Sequence, residues 1–187
     1  MPPREFKSVQ EFEVYFKKES TLILDGTEQR IQRPQEAEEQ KACYSGKKGQ
    51  TVKTLVISNA AKRILFLSNS WVGKVHDFRL LKEEFPPEQK WFKKFKVKVD
   101  LGYLGIAKEY ECEELMLPQK KPRKAELSEA QKQANRDLAS ARISVEPRIG
   151  GLKRYRLLSD RLRSKDFGFY NAALGVCAGL WNFYLSA

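Results

Sequence analysis

Three acids stand where a carboxylate could do chemistry. Asp25 closes the apolar run Thr21-Leu-Ile-Leu-Asp25 just before Gly26, Asp100 closes the alternating run Lys94–Asp100 before Leu101-Gly102, and Glu146 lies in a helical stretch. Singly, each has an ordinary role. The two aspartates suit strand-ending turns, and Glu146, four residues after Arg142, suits a helical ion pair worth a few tenths of a kcal/mol. Together they say more. Two strand-end carboxylates and one helix carboxylate that converge make an all-oxygen site suited to Mg²⁺ or Mn²⁺. Two such ions can activate a nucleophile and stabilise the leaving oxygen in an in-line attack on a phosphodiester. That chemistry needs no histidine, and the chain has one, His76.

The elements that must position these acids follow from apolar patterning. Continuous apolarity from Thr21 to Asp25 predicts a central strand covered on both faces. Residues 28 to 50 are polar and hold Pro34, Gly46 and Gly49, which predicts an extended loop. Thr51–Ile57 and Arg63–Leu67 read as two strands joined by the turn-like Ser58-Asn59-Ala60-Ala61. A helix is expected from about His76 to Glu84, with Asp77 as its cap. Lys94–Asp100 alternates, with Phe95, Val97 and Val99 on one side and the lysines on the other. Glu114–Leu117 is a fifth strand, ended by Pro118. Beyond it, Ser128 can cap a helix whose apolar stripe is Leu138, Ala141, Val145, Ile149 and Leu152, with Pro147 and Gly150-Gly151 as kink or restart points. Three strands, a helix, two strands and then helices make a mixed α/β domain.

The composition limits the partners. Of 187 residues, 35 are basic and 24 acidic, a formal charge of +11 that points to a polyanion. From Pro118 to Lys165, 14 lysines and arginines face 5 acids, and this excess surrounds the helix that carries Glu146. Cys43, Cys112 and Cys177 are odd in number and lack CxxC spacing, against a disulfide framework or zinc site and in favour of a reducing compartment. Met1–Lys18 is charged and has no apolar run, so no signal peptide is expected. Phe167–Ala187 is uncharged and long enough to span a membrane, but Asn171, Asn182, Ser186 and its glycines argue for a helix buried on a soluble domain, with Phe169, Leu174, Cys177 and Trp181 inward.

Several blocks carry a resemblance to a known family. They are Leu24-Asp25-Gly26-Thr27, Tyr44-Ser45-Gly46-Lys47-Lys48, Gly73-Lys74-Val75-His76-Asp77, Val99-Asp100-Leu101-Gly102-Tyr103-Leu104-Gly105 and Ser140-Ala141-Arg142-Ile143-Ser144-Val145-Glu146, continued by Ile149–Arg156. In this order the chain resembles the DDE transposases of bacterial insertion sequences from about residue 20 to 165. The resemblance implies an RNase H-like α/β domain, a mixed sheet of about five strands flanked by helices, in which three carboxylates bind two divalent ions, Mg²⁺ or Mn²⁺.

By position Asp25, Asp100 and Glu146 match the three acids, as catalytic residues and metal ligands; Asp77 is the rival for the second place. Lys47, Lys48, Arg142, Lys153, Arg154 and Arg156 are the implied DNA contacts, while Tyr103 has two readings, orienting a nucleotide or packing. Two departures stand out: Gln50 replaces a frequent histidine, and Pro147 directly follows the glutamate. The resemblance further implies cleavage and strand transfer at transposon ends, a homo-oligomer on DNA, and a bacterial cytoplasmic, nucleoid-associated location without a membrane. Relatives carry an N-terminal DNA-binding region. Residues 1–19 therefore read as an N-terminal remnant before a catalytic domain at 20–187, the second half of a truncated transposase or of a split one whose DNA-binding part is a separate polypeptide. An inactive DNA-binding remnant and a stand-alone nuclease that never joins strands are the competing readings.

Overall fold

The computed structural model describes residues 1–46, 49–120, 128–143 and 150–187, with 137–143 as backbone alone. Its elements in chain order are α1 (Val9–Phe16), β1 (Thr21–Arg30), α2 (Ala37–Cys43), β2 (Thr51–Ser58), β3 (Ile64–Leu67), β4 (Trp71–Val72), α3 (Asp77–Glu84), β5 (Lys96–Lys98), α4 (Ile106–Glu109), β6 (Glu114–Met116) and α5 (Glu129–Ile143). A helical turn at Arg156–Ser159 and a C-terminal helix, Phe167–Tyr184, follow.

The six-stranded sheet runs β3-β2-β1-β5-β6, with the short β4 also paired to β2. The pairs of β1, β2 and β3 are antiparallel, whereas β1–β5 and β5–β6 are parallel. Parallel pairing needs a crossover, and the chain between β2 and β5 supplies it through β3, β4 and α3.

Each sheet face has its own core. On one, Leu22, Leu24, Leu55, Ile57 and Val97 pack under Phe12 and Phe16 of α1 and Leu80 and Leu81 of α3. On the other, Val52, Val56, Ile64 and Leu67 pack under Leu174, Cys177, Ala178 and Trp181 of the C-terminal helix. The mixed sheet with helices on both faces is the α/β arrangement expected from the sequence. Phe12 is the hub of the first core, with ring centroids 4.4 Å from Phe16, 5.5 Å from Phe85 and 5.6 Å from Trp91. Phe12→Ala is therefore expected to cost about 3–5 kcal/mol in urea unfolding.

Several expectations are corrected. Residues 28–50 do not form one extended loop: β1 continues to Arg30, and α2 occupies Ala37–Cys43. The polar residues 28 to 30 belong to a strand because β2 pairs with them to the end, Arg30 facing Thr51. Lys98 of the β5 run, on the side opposite Val97 and Val99, is itself buried. In the C-terminal helix Leu174, Cys177 and Trp181 are buried, but Phe169 is 50% exposed and Tyr170 takes the inward place at 1%. Tyr170 precedes Leu174 by four residues and so shares its stripe, while Phe169 precedes it by five and does not. Ser128 does cap α5: its Oγ accepts from Gln131 N–H at 3.2 Å, and Gln131 Oε1 accepts from Ser128 N–H at 2.9 Å. The side chains of Leu138, Ala141, Val145 and Ile149 lie outside the described residues.

Candidate active site

The parallel β1–β5 pair brings the two aspartates together. Its register sets Ile23 opposite Lys98, and Asp25 and Asp100 each follow two residues later. Neighbouring strands lie about 4.8 Å apart, so the two carboxylate-bearing residues end up adjacent. Asp25 is not at the end of its strand, as the sequence suggested. It lies where β1 outruns its parallel partner, while pairing with β2 goes on through Gly26 opposite Leu55. Asp100 does follow a strand end and caps the short 3₁₀ turn Leu101–Tyr103.

Each carboxylate is held by the glycine that follows it. Asp25 Oδ1 accepts from Gly26 N–H at 2.8 Å, and Asp100 Oδ1 accepts from Gly102 N–H at 2.7 Å. A methyl group at Gly102 would lie 2.8 Å from Asp100 Oδ1, closer than side chains tolerate. Gly102→Ala is expected to fold, because the clash is with a movable side chain, but to push the Asp100 carboxylate aside. Divalent-ion affinity would then fall about 10–100-fold in a calorimetric titration.

Asp77 lies against the same two glycines. A carbon added at Gly26 would meet Asp77 Oδ1 at 3.1 Å, and one added at Gly102 would meet Asp77 Oδ2 at 3.1 Å. The expected capping role is not what Asp77 does. The N-cap of α3 is His76, and Asp77 is the first helical residue. Its Oδ1 instead accepts from Lys53 Nζ at 3.2 Å. Lys53 also donates to the Val75 carbonyl at 2.9 Å and faces Glu28 across the β1–β2 pair, with Oε1 at 3.7 Å. Its side chain is only 10% exposed, so this is a nearly buried cation beside an acidic site. Sequence reasoning passed over Lys53, although a lysine inside the otherwise uncharged run Thr51–Ile57 was the signal.

Tyr103 sits beneath these acids. It is 1% exposed and packs in the first core, which supports packing over nucleotide stacking. Its hydroxyl has no hydrogen-bond partner among the described residues. Burial raises its pKa well above the ordinary phenol range, and the negative charges of Asp77, Asp25 and Asp100 raise it further. The phenol therefore stays protonated, a donor next to carboxylates.

The remaining site residues divide. Glu146, Lys47 and Lys48 lie outside the described residues, and Arg142 is placed by backbone alone within α5. Lys153, Arg154 and Arg156 are exposed near the start of the Arg156–Ser159 turn. Arg154 lies over the rings of Trp181 at 5.9 Å and Tyr184 at 5.4 Å, and Arg156 pairs with Asp160 at 3.2 Å. Beside Gly102 a cleft of about 690 Å³ is lined by His76, Arg79, Lys82, Glu83, Leu101 and Lys120. Three cations and one acid, Glu83 paired to Arg79 at 3.6 Å, thus adjoin the carboxylates, while Lys82 pairs with Glu109 at 3.3 Å.

No three histidine, cysteine, aspartate or glutamate side chains are grouped to hold a metal ion among the described residues. Asp25 and Asp100 nonetheless offer carboxylate oxygens beside an orphaned phenol, a hard donor set that fits Mg²⁺ or Mn²⁺ and not a soft metal. All three cysteines are free thiols. Among the described residues no helix is long and apolar enough to cross a membrane.

Strand order, strand directions and helices on both faces define an RNase H-like α/β domain. The chain belongs to the DDE superfamily endonucleases, whose family model matches residues 24–182. It is 36% identical over 170 residues to the probable transposase for insertion sequence element IS702 of Microchaete diplosiphon, an alignment covering 90% of this chain. The chain spans 58% of that relative's length. No solved structure is significantly similar.

Proposed function

We propose that this chain is the catalytic domain of a DNA transposase, cutting DNA at transposon ends and joining the freed 3′ hydroxyl to a target strand. The observation that carries the reading is the adjacency of Asp25 and Asp100 at the end of the parallel β1–β5 pairing, inside the region matched by the endonuclease family. Asp25, Asp100 and Glu146 are the residues that would hold two divalent ions, Mg²⁺ or Mn²⁺. When bound, such ions supply activation of the attacking oxygen and stabilisation of the leaving oxygen. The chain's own residues do the rest. Gly26 and Gly102 amides fix the two aspartates, and the buried Tyr103 phenol stays neutral and adds no charge of its own.

The basic groove lined by Arg79, Lys82 and Lys120 suits a DNA backbone passing the carboxylates, and Lys47, Lys48, Arg142, Lys153, Arg154 and Arg156 extend the positive surface. In this reading the protein acts in the bacterial cytoplasm, at the nucleoid, as a homo-oligomer on DNA. An end-like duplex incubated with the protein, Mg²⁺ and a target plasmid tests this. Cut ends covalently joined to the plasmid are expected. Hydrolysis without joined product would instead make the chain a nuclease, and neither product would make it a DNA-binding remnant.

A further inference from the structure

We propose that Asp77, charge-paired to Lys53, is a positioning residue that sets the Asp25 and Asp100 carboxylates for the divalent ions; this rests on the reading of those two aspartates as the metal-binding pair. The geometry is a bridge. Gly26 N–H holds Asp25 and Gly102 N–H holds Asp100, and the Asp77 carboxylate packs against both glycines. The two glycines stand on different chain segments, one in β1 and one in the 3₁₀ turn after β5. Asp77 comes from a third, the first turn of α3, so one side chain spans the seam between the two acid-bearing segments. A side-chain carbon at either position would stand 3.1 Å from an Asp77 oxygen, so a larger residue there would make the Asp77 carboxylate give way.

Lys53 makes the bridge rigid and electrostatically tolerable. Its ammonium is fixed by the Val75 carbonyl at 2.9 Å, two residues before Asp77, and by Asp77 itself at 3.2 Å. It thus ties the start of α3 to β2, whose neighbour β1 carries Asp25. A third aspartate packed against the site without a cation would add repulsion to two carboxylates already adjacent.

The test is titration of the purified chain with Mn²⁺ by calorimetry, alongside thermal unfolding. Asp77→Asn keeps the shape and removes the charge. It is expected to weaken Mn²⁺ binding about 10–100-fold, as loss of an outer-shell partner does. The double variant Lys53→Met/Asp77→Asn removes the cation together with the carboxylate, and Mn²⁺ binding is expected to stay as weak as in Asp77→Asn. Wild-type Mn²⁺ affinity in Asp77→Asn overturns the proposal, as does full recovery of affinity in the double variant. Asp25→Asn separates the two levels. If Asp25→Asn loses Mn²⁺ while Asp77→Asn keeps it, only the positioning role falls; if both keep it, the metal-binding pair falls as well.

Discussion

Asp25→Asn and Asp100→Asn are each expected to lower Mg²⁺-dependent DNA cleavage by at least about a thousandfold, about 4 kcal/mol of transition-state stabilisation. Asparagine keeps the Oδ1 acceptor that Gly26 N–H or Gly102 N–H uses, so the local turn survives and only the negative charge and one metal-binding oxygen are lost. Stability is therefore expected to stay within about 0.5 kcal/mol of the parent, the ordinary range for a substitution that breaks no packing. DNA affinity in a gel-shift without divalent ions is expected to be unchanged or slightly stronger, since a charge that repels phosphate is gone. Cleavage at the parental rate by either variant would rule out a metal-carboxylate mechanism here.

The second large effect is on binding. The 14 basic residues between Pro118 and Lys165 are set against only 5 acids, and contacts of this kind release counterions from DNA. If about six phosphates are neutralised, affinity is expected to fall roughly a thousandfold between 50 and 200 mM salt. Lys153→Ala is expected to flatten the slope of log affinity against log salt by about one. Arg154→Ala is expected to do more than that: its guanidinium also lies over Trp181 and Tyr184, so the start of the Arg156–Ser159 turn loses an anchor to the C-terminal helix. Fluorescence anisotropy across a salt series measures both. A flat salt dependence would remove the basic segment from the DNA interface.

Much of the fold was legible because apolar pattern and strand pairing agreed. Leu22, Leu24, Val97 and Val99 are buried as their runs required, and the Lys96–Lys98 and Glu114–Met116 strands fall inside the predicted ones. What escaped was structure made by partners rather than by local pattern. Polar Glu28, Gln29 and Arg30 are strand because β2 faces them, and α1 is a helix whose Phe12 and Phe16 are sunk in a core that nothing near them in the sequence announces.

The site shows the same division. Asp25 and Asp100 were visible as acids ending apolar runs, and the β1–β5 register explains their meeting. Asp77 was underrated because an aspartate before a helix has a ready capping explanation, and only its pairing with Lys53 reveals another use. That pairing joins residues 24 apart on different elements, which no local spacing rule reports.

The central claim is that Asp25 and Asp100 share a divalent ion. Crystals grown with Mn²⁺ and a DNA end, with diffraction collected at the manganese edge, test it most directly. Anomalous peaks are expected roughly 2.1 Å from carboxylate oxygens of both aspartates, the distance hard octahedral cations keep from oxygen. A well-occupied manganese peak elsewhere, with neither Asp25 nor Asp100 in its coordination sphere, would contradict the account.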